Sequence, residues 1–240
     1  MLRIPSLGCW IVTYTFTART IIVSLLLKGA FRMADNLIIT IGREFGSGGL
    51  TIGKMLAERL GVKCYDKELI TLAAKESGLC TEVFEHNDEK PTSSFFYSLV
   101  MDTHGIGQPM NNYVNVPLNQ KVFLAQFETI QNLAARESCV IVGRCADYAL
   151  SSRKNVYNVF VTARMEDKIA RISEKMDLDL DPKKVEDLIV KTDKKRANYY
   201  NYYTNKRWGS ASGYDLCINS SLVGTDGAVE LILKFLELKN

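Results

Sequence analysis

Residues 37–49 read LIITIGREFGSGG, and no other stretch of this 240-residue chain restricts its fold as tightly. An apolar, β-branched run ends at Ile41, a glycine-rich turn follows, and LTIGKMLAERL then has helical spacing. Strand, glycine-rich turn and helix in that order form a phosphate cradle. Glycines let backbone N–H groups converge on an anion, and the positive end of the helix dipole faces it. A bare strand-to-helix turn does not call for four glycines in the eight residues from Gly42 to Gly49, with Ser47 among them. Phosphate binding is the better reading.

The stretch departs from the common G-x-x-x-x-G-K-[ST] loop, in which a lysine reaches the β- and γ-phosphates. The stretch from Gly42 to Gly49 puts glycine where that lysine belongs. A dinucleotide G-x-G-x-x-G fits worse, because Gly46 and Gly48 would require a small residue where Thr51 stands. The reading is a P-loop without its lysine. Gly46, Ser47, Gly48, Gly49 and Thr51 are the candidate donor-phosphate residues, and Arg43 and Lys54 are the nearby cations available to replace the missing charge.

Short apolar runs alternate with helical patterns along the rest of the chain, which is the signature of a mostly parallel sheet. Strands are expected at 37–41, 62–65, 139–142, 157–161 and 216–218, and helices at 50–60, 67–77, 118–137, 166–176, 182–204 and 226–238. Asp181 followed by Pro182 is a strong helix start. One α/β domain over residues 33–240 accounts for this pattern, with an Asn-, Gly- and Pro-containing cap insertion at about 85–117.

Residues 9–27 are apolar, but Arg19 in their middle disfavours a membrane span, and no clean cleavage site follows. Residues 1–32 are therefore read as a non-core extension, an upstream translation artefact, with Met33 opening the domain. A net charge of +3 gives no broad nucleic-acid footprint. Six cysteines without a C-x-x-C pair fit a reduced, cytoplasmic setting, with Cys64, Cys139 and Cys217 expected as buried apolar residues of strands.

Two further segments carry site signals. In CVIVGRCAD a buried strand ends in Gly143 and offers Arg144 at its carboxyl edge, where open α/β sheets bind ligands. A structural pairing of Arg144 with Asp147 is the competing reading. In KTDKKR, Asp193 and Arg196 lie on a cationic helix face, followed by Tyr199, Tyr200, Tyr202 and Tyr203, whose spacing favours packing. An arginine on such a segment is what phosphoryl transfer uses to stabilise spread negative charge.

Taken in order, IITIGREFGSGG, CYDKELI, VIVGRCADYAL, VFVTARMEDKIARI and DKKRANYYNYYTNKRWG…YDLCINSS resemble the cytidylate kinase-like family of P-loop nucleoside monophosphate kinases. The resemblance implies a P-loop NTPase fold: five parallel strands flanked by helices, with a helical lid. It also implies ATP with Mg²⁺ as donor and a nucleoside monophosphate, CMP or dCMP first, as acceptor. Arg144 then binds the acceptor, Asp66 begins the acceptor segment, and Asp193 and Arg196 match the D-x-x-R of the lid, Arg196 meeting the transferring phosphoryl group. Arg43 joins Arg196 as a catalytic candidate, Asp147 substitutes for an aspartate replaced by Cys145, and Ser47 or Thr51 supplies a hydroxyl near magnesium. Because the lysine and part of the acceptor motif are missing, a nucleotide sensor with little catalysis and a kinase of another small metabolite remain as alternatives.

Overall fold

The structure, a computed structural model, describes residues 36–78, 117–176 and 181–239. The expected N-terminal extension, and the expected cap apart from Pro117, lie outside the described residues.

Five parallel strands form one sheet: β1 (Ile38–Arg43), β2 (Lys63–Tyr65), β3 (Cys139–Val142), β4 (Val156–Thr162) and β5 (Leu216–Asn219), in the order β2-β3-β1-β4-β5. The helices between them are α1 (Gly49–Leu60), α2 (Glu68–Ser77), α3 (Leu118–Arg136), α4 (Ala146–Ala149), α5 (Met165–Met176), α6 (Pro182–Thr204) and α7 (Ser220–Lys239). Strand order reverses between β1 and its two neighbours, so the carboxyl ends of β1 and β3 open onto the crevice where such sheets bind ligands. With its glycine-rich loop leading from β1 into α1, this is a P-loop NTPase fold.

The sheet buries both faces, which explains the continuous apolar runs. Ile39, Ile41, Val140, Val142 and Val159 pack on one side with Ile52 and Leu56 of α1 and Ile232 and Leu236 of α7. Ile38, Cys139 and Ile141 pack on the other with Leu69 of α2 and Ile130 and Leu133 of α3. Asp181 accepts a hydrogen bond from the Lys183 amide at 3.0 Å, with Pro182 opening α6, as the sequence indicates.

Three details differ from the sequence reading. β1 runs two residues past Ile41, because Gly42 and Arg43 pair with Phe160 and Val161 of β4. Helix α4 is unanticipated: Gly143, Arg144 and Cys145 all take positive φ and turn the chain directly into it. Cys217 is exposed on the edge strand β5, whereas Cys139 is buried and Cys64 half-buried. Burial pushes the Cys64 thiol up to about 11 and that of Cys139 up to about 12, so both are inert packing groups. No helix among the described residues is long and apolar enough to cross a membrane.

Candidate active site

The loop between β1 and α1 turns on two left-handed glycines, Gly46 at φ 81° and Gly48 at φ 82°. Gly48 is the N-cap of α1, without a side-chain cap and without an acidic residue in the first turn. The first amides of a helix have no intrahelical partner and carry the positive end of its dipole. No carboxylate of the helix's own first turn cancels that field.

Side chains from three helices fix the loop by its carbonyls. Arg171 of α5 donates to the Gly46 carbonyl at 3.2 Å, and Ser220 of α7 to that of Ser47 at 2.7 Å. Arg196 of α6 donates to the Arg43 carbonyl at 3.4 Å, and the Ser47 hydroxyl to that of Glu44 at 2.8 Å. Holding carbonyls outward is how a loop of this kind presents its amides inward.

A buried ionic centre lies beneath the loop. The Lys168 ammonium sits 3.2 Å from Glu44 and 3.3 Å from Asp193, with its side chain only 7% exposed. Glu44 also accepts from the Thr162 hydroxyl at 2.7 Å, and Asp193 from the Phe45 amide at 2.6 Å. Burial raises the Asp193 carboxyl above its ordinary range, opposed by that amide, Lys168 and Arg196. The Arg196 guanidinium lies 5.5 Å from the centroid of the Phe45 ring. Asp193 and Arg196, joined in the sequence reading only by spacing, thus grip the same loop residue from one face of α6.

The acceptor-side candidates meet at the end of β3. Arg144 is buried in a positive-φ conformation, and its Nη1 lies 3.1 Å from Asp66 Oδ1 and 3.4 Å from the Val142 carbonyl. The same Asp66 oxygen is 3.9 Å from the Arg43 guanidinium. Arg144 therefore pairs with Asp66 here. Asp147 instead accepts from the Tyr200 hydroxyl at 2.6 Å, and burial raises its carboxyl, partly offset by Tyr200 and Lys206. Arg43, Arg144, Asp147, Arg196, Tyr200 and Tyr214 line one cleft that opens beside the loop. Within the tyrosine run Tyr203 packs, stacked on Phe123 at 3.9 Å, whereas Tyr199 and Tyr200 reach the cleft wall.

The two hydroxyl candidates for magnesium separate. Ser47 is wholly buried and its hydroxyl donates to the Glu44 carbonyl, which leaves only the oxygen lone pairs to face a ligand. Thr51 is exposed in the first turn of α1, and its oxygen is a hard donor of the type magnesium takes. Lys54 is exposed on α1 and does not line the cleft. Lys168, Glu44, Arg171 and Ser220 escape the sequence reading. For Lys168 a signal existed: it stands four residues before buried Ile172, on the apolar face of α5.

Fold and site together define a P-loop kinase: a glycine-rich loop between β1 and α1, with three arginines lining a neighbouring cleft. The chain belongs to the cytidylate kinase-like family, whose sequence profile matches residues 38–222. It is 26% identical over 205 residues to a cytidylate kinase of Archaeoglobus fulgidus, covering 84% of this chain and 95% of the relative. Among solved structures it is similar to an uncharacterized protein from Eubacterium ventriosum, with a TM-score of 0.63 and 30% identity over 84% of this chain and 99% of the other. A weaker likeness is to shikimate kinase from Bacteroides thetaiotaomicron, with a TM-score of 0.49 and 16% identity over 84% of this chain and 98% of the other.

Proposed function

We propose that this protein transfers the γ-phosphoryl group of ATP to a nucleoside monophosphate, CMP or dCMP first. An oxygen of the acceptor phosphate attacks the γ-phosphorus, the bond from that phosphorus to the β–γ bridging oxygen breaks, and ADP leaves with the electron pair. The observation that carries the reading is the convergence of Arg43, Arg144 and Arg196 on one cleft beside the loop. Such transfer depends mostly on positioning and on stabilising spread negative charge.

In this reading the amides of Gly46, Gly48 and Gly49 hold the donor phosphates. Arg144, braced by Asp66, binds the acceptor phosphate, and Arg196 stabilises the group in transit. Asp147 and Tyr200 form the wall against which the acceptor's nucleoside lies. Asp193 acts by holding the loop and Arg196 in register. Magnesium, arriving with ATP, would neutralise phosphate charge, with Thr51 as the protein hydroxyl available to it. The cytidylate kinase relative supports the choice of acceptor. A protein that only senses nucleotide has no need of an arginine seated beside the loop, which disfavours that alternative.

Coupled ADP release with CMP, dCMP, UMP, AMP and GMP tests the reading. The largest kcat/KM is expected with CMP or dCMP. Turnover with none of the five, in protein that binds ATP, would leave the sensor or another small acceptor.

A further inference from the structure

We propose that Arg43 is the donor-phosphate cation of this loop, standing in for the lysine, and that cation and glycine have exchanged places across the loop. The inference rests on the phosphotransfer reading only in taking ATP as the ligand. Counted back from Gly48 and Gly49, the pattern G-x-x-x-x-G-K puts its first glycine at position 43 and its lysine at position 49. This chain has arginine at the first and glycine at the second. One substitution alone would read as a lost charge. The pair reads as a charge moved.

The structure supplies the reason the two changes go together. A Cβ on Gly49 would lie 2.5 Å from Arg43 Cβ and 3.1 Å from its Cγ. The Arg43 Cβ is fixed by the backbone and cannot swing away, so the root of the Arg43 side chain fills the space a residue-49 stem would start from. At the far end, a Cβ on Gly143 would fall on the Arg43 guanidinium, 2.7 Å from Cζ. The side chain therefore runs from the amino end of α1, where the donor phosphates lie, to the end of β3, where Arg144 and Asp66 meet. Gly49 and Gly143 mark the two ends of its track. The head, 3.9 Å from Asp66 and lining the cleft, stands between donor loop and acceptor arginine. A planar guanidinium there offers two phosphate oxygens a fixed bidentate fork, where an ammonium acts as a point charge.

The test is calorimetric ATP binding, with magnesium, to wild type, Arg43→Gln, Gly49→Lys and the double variant Arg43→Gly/Gly49→Lys, with thermal unfolding as the check on folding. Arg43→Gln, which keeps the stem and removes the charge, should weaken ATP binding about tenfold or more, as for loss of a charge-assisted phosphate contact. Gly49→Lys alone should also bind worse than wild type, because the new stem collides with Arg43. The double variant should recover most of the affinity, since an emptied position 43 makes room for the lysine. Wild-type affinity in Arg43→Gln overturns the proposal, as does a cooperatively folding double variant that binds no better than Arg43→Gln. The two readings fail separately. ATP binding that depends on Arg43 without transfer to any monophosphate removes the kinase assignment alone, and transfer with ATP affinity indifferent to Arg43 removes this proposal alone.

Discussion

The Phe45 amide donates to the Asp193 carboxylate across 2.6 Å, so the long helix α6 holds the phosphate loop by its backbone. The same carboxylate touches Lys168, which also pairs with Glu44 from the loop itself. Loop, α5 and α6 therefore share one buried ionic centre, and anything that moves α6 moves the phosphate site.

Two substitutions at Asp193 should separate geometry from charge. Asparagine keeps an oxygen for the Phe45 amide and gives up the charge facing Lys168. Alanine gives up both. A hydrogen bond to a charged group contributes about 1.5–3 kcal/mol. Asp193→Ala should cost that much stability and weaken ATP binding, while Asp193→Asn costs less because Lys168 retains Glu44. Urea unfolding with parallel ATP titrations measures both. Equal losses in the two variants would mean that the Phe45 hydrogen bond contributes nothing.

Arg144→Ala should damage more than acceptor binding. Its side chain is 3% exposed and faces Asp66, so truncation strands a carboxylate that is itself only 15% exposed. Breaking a buried pair costs about 3–5 kcal/mol, and the low end applies because Arg43 stays near Asp66. Asp66→Asn in the Arg144→Ala background should then restore part of the stability but none of the acceptor affinity. Full stability in Arg144→Ala by chemical denaturation would show that the pair is dispensable to the fold.

How far the sequence carries can be seen at these residues. The strands and long helices were legible because each is an apolar run or a helical stripe closed by local chemistry, such as the Asp181 and Pro182 start of α6. Gly46 and Gly48 were legible because left-handed backbone favours glycine. Partnership was not legible. Asp66, Arg144 and Arg43 come from three strand ends, and local spacing offered Asp147 as partner to Arg144 when the fold delivers Asp66. The donation of the Ser47 hydroxyl to the Glu44 carbonyl was not legible either, because only the turn brings the two together. Lys168 was lost among surface charges because only the packing of α5 under the loop buries it.

Asp147 should make stability fall as pH rises. Its carboxyl is raised from 3.8 by burial, so the native state keeps its proton to higher pH than the unfolded chain does. Native protein then binds more protons than unfolded across that window, and unfolding free energy drops with pH there. Below 3.8 the contribution is fully present, and it is lost as pH passes the native value. Asparagine cannot titrate and still accepts from Tyr200. The stability advantage of Asp147→Asn over wild type should therefore grow with pH from about 4 upward and then level off. Urea midpoints from pH 4 to 7 give the curve, and a difference independent of pH would refute the assignment.

Arg196 decides between a kinase and a sensor. Its guanidinium is seated by two groups of the loop, the Phe45 ring at 5.5 Å and the Arg43 carbonyl at 3.4 Å. That seating fixes a cation on the cleft wall without a swing of α6 from a distant position. If phosphoryl transfer occurs here, Arg196→Ala should lower single-turnover transfer by about 10³–10⁵, the range for an arginine stabilising this kind of transition state. Nucleotide dissociation constants should shift only a few-fold, because the interaction is made mainly in the transition state. Arg196→Lys should rescue poorly, since an ammonium has no planar fork to span ring, carbonyl and phosphate. Phe45→Leu keeps an apolar group against Ile172, Val185 and Ile189 and removes the ring under the guanidinium, about 1 kcal/mol or roughly a fivefold loss in rate. A graded series, with alanine far below lysine and lysine below the Phe45 variant, is the expected pattern by rapid quench. If wild type binds ATP tightly yet transfers to no monophosphate, and Arg196→Ala behaves as wild type does, the arginine is part of a binding surface and the sensor reading prevails.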